Sequence, residues 1–186
     1  MLHQLQRFDT DLFLFLNGLH TPWADRLMYW VTATQTWIPL YVMIVVALIW
    51  QYKRRAVAMI AAMVLSVALA DQTTSSLLKP WVERLRPCYV EYLQSQVHLV
   101  VEGCGGKYGF ASSHAANSFA LAMVLWLLVG QRFRWVGWVF FSWAALVAYS
   151  RVYVGVHYPL DIVVGALIGV LIAKIVVGFL RYLKMP

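Results

Sequence analysis

Five apolar runs divide this chain, at about Thr36–Tyr52, Ala56–Leu78, Ser118–Gly130, Trp135–Tyr149 and Leu160–Leu180. Once the small residues at their ends are counted, each is near the length that crosses a hydrocarbon core as a helix at roughly 1.5 Å per residue. In lipid the backbone polar groups of such a segment must be satisfied within it, so helices are the reading that serves them. With 62% apolar residues, 12% charged residues and a mean hydropathy of +0.68, the chain is too apolar for an ordinary soluble domain. The expectation is an all-α polytopic transmembrane helical bundle of five to six membrane helices, with residues 1–186 forming one integral membrane domain.

The cations set the orientation. Lys53-Arg54-Arg55, Arg132 with Arg134, and Arg181 with Lys184 fall in alternate connections or at the C-terminus, and the positive-inside tendency places them in the cytoplasm. Residues 79–111 then form an outer loop, and 152–159 lie on the same outer side, facing the outside or periplasm of a plasma (inner) membrane. The net charge of +7 is compatible with nucleic acid, but the cations form no solvated basic face and no reader motif accompanies them, so no nucleic-acid partner is expected. Residues 1–34 are less regular: Leu12–Leu16 is apolar but too short to span, and Arg7, Asp9, Asp11 and Asp25 surround it. That segment reads as an interfacial amphipathic helix, with a short tilted span as the rival, and not as a secretory signal.

Polar residues at the outer ends of the runs form three clusters, costly at membrane level unless they serve a site. Lys79 and Arg86 straddle Pro80 and are followed by Pro87, so the chain is expected to leave the helix there and converge two cations on one anion. Alone, either cation reads equally as an interfacial anchor. Ser112-Ser113-His114 follows a glycine-rich loop and opens an apolar run, where free amides and the helix dipole favour an anion. The serines could do no more than cap, whereas His114 adds a group that exchanges protons near neutral pH. In the third cluster, Ser150-Arg151 precedes His157 and Asp161 across Pro159. A carboxylate four residues after a histidine can reach the imidazole and hold one tautomer, leaving the other nitrogen to attack or accept a proton. The competing reading is an Asp that caps the helix begun at Pro159.

Together the clusters supply cations for the oxygens of a phosphoryl group, a nucleophile and an acid, which is what a loose phosphoryl transition state requires. No carboxylate cluster for Mg²⁺ and no third ligand for zinc is visible, so metal-independent chemistry without a cofactor is expected. A membrane serine protease would have no use for three such cations.

Lys79-x6-Arg86-Pro87, Ser112-x-His114 and Ser150-Arg151-x5-His157-x3-Asp161 resemble the three-part signature of the type-2 phosphatidic acid phosphatase superfamily of integral membrane lipid phosphatases. The first and third parts match fully. In the second, the family's usual Pro-Ser-Gly-His appears as Ala111-Ser112-Ser113-His114, which keeps Ser and His and gives the Ser113 position a side chain. The resemblance implies that His157 is the nucleophile, that Asp161 orients it, and that His114 protonates the leaving oxygen and later activates water. It also implies that Lys79, Arg86, Ser112, the amide of Ser113, and Arg151 hold the phosphate. The substrate expected by analogy is a membrane lipid phosphate, first a polyprenyl (undecaprenyl) diphosphate, with phosphatidate, phosphatidylglycerophosphate and lipid A phosphate as alternatives. A non-enzymatic anionic-lipid binder or transporter is the alternative from another class.

Several features stand apart from that signature. Cys88 and Cys104 share the outer loop, and a disulfide between them would contribute on the order of 3 kcal/mol in the chain-entropy model. Asp71 is a lone acid in the second run, able to pair with Lys79 or with another helix. Gly165-x3-Gly169 suits close helix packing but does not define an oligomeric state. Tyr89, Tyr92, Tyr108, Tyr153 and Tyr158 are candidates to line a lipid entrance, and His3, His20 and His98 read as unpartnered surface residues.

Overall fold

The computed structural model describes residues 2–183, whose regular structure is helical; the stretch 83–112 is largely irregular and holds one isolated antiparallel bridge, between Leu85 and Tyr108. Lys184, one of the cations assigned to the cytoplasmic side, lies outside the described residues. The helices are α1 (Leu2–Gly18), α2 (Pro22–Thr32), α3 (Ile38–Tyr52), α4 (Arg55–Gln72), α5 (Lys79–Val82), α6 (Ser113–Val129), α7 (Trp135–Tyr153) and α8 (Pro159–Tyr182). All five apolar runs are helices. Among the described residues, three stretches are long and apolar enough to cross a membrane by themselves: Thr34–Tyr52, Arg55–Val82 and Pro159–Tyr182. The 17-residue α6 has a different task, because it is the centre of the bundle and packs against α4, α7 and α8.

Small side chains make that centre possible. Ala115, Ala116, Ala120 and Ala122 of α6 are fully buried, and α8 presents Gly165, Gly169 and Ala173 to it at one-turn intervals. A methyl group at Gly165 would strike the Ser112 carbonyl, and one at Gly169 the Ala116 carbonyl, so the two backbones meet directly. The glycine pair therefore packs helices within the chain. The opposite face of α8 exposes Val163, Leu167, Leu171, Ile175 and Phe179 along its length, an apolar stripe suited to lipid.

Pro80 does not end its helix as expected. A π-helical turn over Thr73–Leu78 joins α4 to α5, Pro80 occupies the first turn of α5, and the chain breaks only at Glu83, whose φ of 53° is left-handed. A first-turn position needs no N–H, which is why proline is tolerated there.

The N-terminal segment forms two helices that dock on the bundle. On α1 the buried positions are Asp9, Phe13 and Asn17, again one turn apart, while Phe8 and Phe15 face outward. Two of those three buried residues are polar, and both find partners. Asn17 donates to the carbonyls of His98 and Tyr153 and accepts from the His98 N–H. His20 and His98 are also not unpartnered as expected: their rings stack at 3.7 Å, and His98 Nε2 lies 3.1 Å from Asp25 Oδ2. These contacts join residues far apart in the chain, so no local pattern announces them.

Candidate active site

The close seating of α8 on α6 brings two of the polar clusters together. The N–H of Ser112, just before α6, donates to the carbonyl of Asp161 in the first turn of α8 at 3.0 Å. His157 occupies the connection before α8, where Gly155 supplies a left-handed φ of 86° and the His157 N–H returns to the Arg151 carbonyl. That short turn sets Arg151 and His157 side by side. The remaining cluster is split between α5, which carries Lys79, and the segment after it, which carries Arg86 and pairs with residues 107–109: Arg86 N–H donates to the Lys107 carbonyl and Gly109 N–H to the Arg84 carbonyl. Just beyond this pairing, Cys88 and Cys104 form a disulfide with their Cα atoms 6.4 Å apart.

Lys79, Arg86, Ser113, His114, Arg151 and His157 all line one cavity of about 720 Å³, which is also lined by Trp37 just before α3 and by Tyr41, Val45, Ile60 and Val64 from the apolar helices α3 and α4. Ser112 and Asp161 are fully buried and do not line it. A polar anion site and an apolar groove are thus continuous. The five outer tyrosines do not line this cavity; its aromatic walls are Trp37, Tyr41 and Trp143. Tyr153 instead turns inward to donate to Asp25, and Tyr158 lies beneath the Arg84 guanidinium.

His157 is 2% exposed, and its Nδ1 lies 3.2 Å from Asp161 Oδ2. An ionised carboxylate can only accept, so Nδ1 carries the proton and Nε2 keeps its lone pair for a substrate. Burial, reinforced by Arg151, Arg86, Lys79 and Arg84, holds the His157 imidazole well below its usual range, in the neutral form. Asp161 Oδ2 also accepts the Tyr158 N–H at 3.0 Å, closing the first turn of α8. Capping and orienting the histidine, alternatives from sequence, are done by the same oxygen.

The serines divide in a way the sequence did not suggest. Neither caps α6 through its side chain. Ser113 Oγ turns toward the π-helical turn and α5, accepting from Lys79 Nζ at 2.8 Å and from Thr74 Oγ1 at 2.9 Å. Its side chain therefore anchors the lysine. Ser112 Oγ and Arg151 Nε are buried without a partner among the described residues, and Arg151 lines the cavity, where an oxyanion would satisfy it. Asp71 lines the same cavity but does not bond to Lys79; it accepts from Asn117 and Ser75.

Three residues escaped the sequence reading. Gly109 packs so tightly that a Cβ there would lie 3.2 Å from Asp161 Oδ2 and 3.5 Å from His157 Nδ1. Arg84 donates to Asp161 Oδ1 at 2.9 Å and to Asp9 Oδ2 at 2.7 Å. An arginine two positions before Arg86 carried no separate signal, and Asp9 lay in a segment without any motif.

His20, Asp25 and His98 form the one group among the described residues with ligand atoms close enough for a metal, within 4.8 Å of one another. The two imidazole planes are only 8° apart and stacked, so their in-plane lone pairs run parallel instead of meeting at one point. None of the three lines the cavity.

Residues 55–185 match the model of the PAP2 superfamily. The lipid A 4'-phosphatase of Bacteroides thetaiotaomicron is 40% identical over 91% of this chain and 75% of its own length. The lipid A 4'-phosphatase of Porphyromonas gingivalis is 33% identical over 95% and 74%. Among solved structures, Aquifex aeolicus LpxE superimposes with a TM-score of 0.67 at 26% identity, covering 91% of this chain and 94% of that one. The PAP2-type phosphatidylglycerolphosphate phosphatase of Bacillus subtilis shares the fold with a TM-score of 0.73 at 24% identity, over 96% and 87%. This chain therefore belongs to the PAP2 superfamily, and its all-helical bundle is that of an integral membrane lipid phosphatase.

Proposed function

We propose that the chain removes a phosphate from a lipid by way of a phosphohistidine at His157. The observation that carries this reading is the buried Nδ1 to Oδ2 contact of 3.2 Å between His157 and Asp161, with Lys79, Arg86, Arg151 and His114 on the walls of the same cavity as His157. His157 Nε2 attacks phosphorus as the bond from phosphorus to the lipid oxygen breaks, and His114 donates a proton to that oxygen. The imidazole that has gained the phosphoryl group carries positive charge, which Asp161 offsets. His114, now neutral, takes a proton from water; the hydroxide attacks phosphorus, the bond to Nε2 breaks, and phosphate leaves. Lys79, Arg86 and Arg151, with the Ser112 hydroxyl and the Ser113 amide, carry the phosphoryl oxygens throughout. The arriving phosphate charge favours the protonated form of His114 that the first step requires.

A lipid A phosphate is the favoured substrate, because relatives at 40% and 33% identity carry the name lipid A 4'-phosphatase. This shifts the weight from the polyprenyl diphosphate expected by analogy. That second reading keeps its own support in the undecaprenyl-diphosphatase of Sulfolobus acidocaldarius, 28% identical over 87% of this chain and 73% of its own length. The site is assigned to the outer face on the strength of the cations at 53–55, 132, 134 and 181, which follow or precede the opposite helix ends. Phosphate release from hexa-acylated lipid A, undecaprenyl diphosphate and phosphatidate, each in the same detergent, decides between the substrates. Preferred release from lipid A supports the first reading, and preferred release from the diphosphate replaces it with the second.

A further inference from the structure

Asp161 has more to do than orient one ring, and it does not stand alone. Its Oδ2 holds His157 Nδ1 and the Tyr158 N–H, while Oδ1 accepts from Arg84 Nη1 at 2.9 Å. The other arm of the same guanidinium, Nη2, donates to Asp9 Oδ2 at 2.7 Å, and Asp9 Oδ1 accepts the Leu160 N–H at 2.8 Å. A ring is closed: Asp9 to Arg84, Arg84 to Asp161, and the Leu160 backbone back to Asp9. The Arg84 guanidinium lies 3.9 Å from the centroid of the Tyr158 ring, so its plane is fixed as well. Asp9 is 1% exposed and Asp161 0%, so both carboxylates draw on this cation and on backbone N–H groups for compensation, Asp161 also on His157 and on the charge of Arg86.

Two facts distinguish Arg84 from the phosphate-binding cations. Lys79, Arg86 and Arg151 line the cavity and Arg84 does not. Both ends of its fork are already engaged by carboxylates, with none turned to an incoming anion. A third fact concerns Asp9, which belongs to α1 and lies outside residues 55–185 that match the family. The part of the chain without any signature residue thus reaches the back of the reacting pair.

We propose that Asp9 and Arg84 are positioning residues for phosphoryl transfer: Asp9 fixes Arg84, and Arg84 holds Asp161 ionised and aimed at His157. The inference rests on the His157 reading above. As the bond from Nε2 to phosphorus forms, the ring becomes cationic, and the ionised Asp161 is worth most at that moment. Arg84 disfavours protonation of Asp161, and Asp9 keeps the Arg84 charge from swinging toward the substrate phosphate. The charged and titratable groups around Asp161 are Asp9 from α1, Lys79 from α5, Arg84 and Arg86 from the following segment, and His157 and Tyr158 from the turn before α8. Removing Arg84 leaves that carboxylate facing Asp9 without the cation between them.

The test uses the purified full chain in mixed micelles, with dioctanoyl phosphatidate as probe, and follows kcat, KM, the pH profile and the melting temperature. Arg84→Gln is expected to lower kcat by about a hundredfold or more with KM nearly unchanged, and to move the acid limb of the kcat profile to higher pH. Arg84→Lys restores at least about tenfold of that loss, because a cation returns without the fork. Asp9→Asn lowers kcat by about tenfold with KM nearly unchanged. In an Arg84→Gln background the Asp9→Asn change adds less than about twofold, since Asp9 acts through Arg84. Where Arg84→Gln does not fold, Arg84→Lys and Asp9→Asn carry the same comparison. A rise in KM with an unmoved acid limb overturns the proposal in favour of a direct phosphate contact. Equal losses of activity and melting temperature with an unmoved profile overturn it in favour of a purely structural tie. His157→Asn in parallel separates the two layers: if it keeps its turnover, the phosphohistidine reading fails first, whereas if it is dead and the Arg84 and Asp9 variants behave as wild type, only this inference fails.

Discussion

The Ser112 N–H donates to the Asp161 carbonyl at 3.0 Å, one turn away from the point where Gly165 meets the Ser112 carbonyl. Through this contact the helix start that carries His114 and the helix start that carries Asp161 become a single rigid piece. Geometry for a reaction that needs both depends on how closely α6 and α8 approach.

Gly165→Ala is expected to force the two helices apart, because the methyl group would strike the backbone carbonyl of Ser112 and crowd Ala115 Cβ at 3.3 Å. Overpacking of this kind costs about 1–3 kcal/mol, and the displacement falls on the site itself. Thermal melting in detergent should drop, and kcat should fall by more than tenfold, since small misplacements at a reacting centre are expensive. Gly178, around which a Cβ would meet nothing within 4 Å, provides the control: Gly178→Ala should leave both unchanged.

Gly109→Ala tests the other wall. The added carbon would sit 3.1 Å from Arg86 Cγ and 3.2 Å from Asp161 Oδ2, tight enough that a neighbour must give by a few tenths of an ångström. A fall in kcat of about ten- to a hundredfold is expected, with little change in melting temperature. Unchanged turnover would show that the His157 and Asp161 pair tolerates displacement.

The Cys88–Cys104 disulfide sits beside the short pairing that carries Arg84 and Arg86. Cys88→Ser with Cys104→Ser should lower stability by about 2–4 kcal/mol and raise KM more than it lowers kcat, because Arg86 is the cavity cation nearest the released loop. Reduction of the wild-type enzyme with dithiothreitol should reproduce the change in KM, and treatment of the double variant should have no effect.

The neutral state of buried His157 makes stability depend on pH. Its folded-state proton affinity is well below the ordinary value of 6.5, so below that pH the unfolded chain binds a proton that the folded chain does not. Stability contributed by this group is therefore complete above about pH 6.5 and lost as pH falls from there toward the lower folded value. Melting curves between pH 7.5 and about 5 should show wild type losing more stability than His157→Asn over the same interval. Parallel losses would mean that the imidazole is not held neutral.

Much of the site was legible in sequence because its parts obey local rules. The interval from His157 to Asp161 is one helical turn, and the structure closes it with a hydrogen bond. The apolar runs appear as helices because in lipid nothing else satisfies their backbones. What sequence did not show depends on approach between distant segments. Arg84 acquires its meaning from Asp9, whose separation along the chain leaves no spacing to recognise. Gly109 matters only because the loop returns against His157 and Asp161. Pro80 was expected to end a helix and instead opens a short one, because a π-helical turn before it takes up the change in hydrogen bonding. The His20–His98 stack was hidden for the same reason as Arg84: its partners belong to different elements.

The measurement that reaches the central claim most directly is rapid quenching of the purified enzyme with a ³²P-labelled lipid phosphate in the presence of a chelator. A protein-bound phosphate that survives alkali, is lost in acid, forms at full rate without metal and vanishes in His157→Asn is the predicted result. Phosphate release that continues in His157→Asn, or that stops when metal is chelated, would contradict the account.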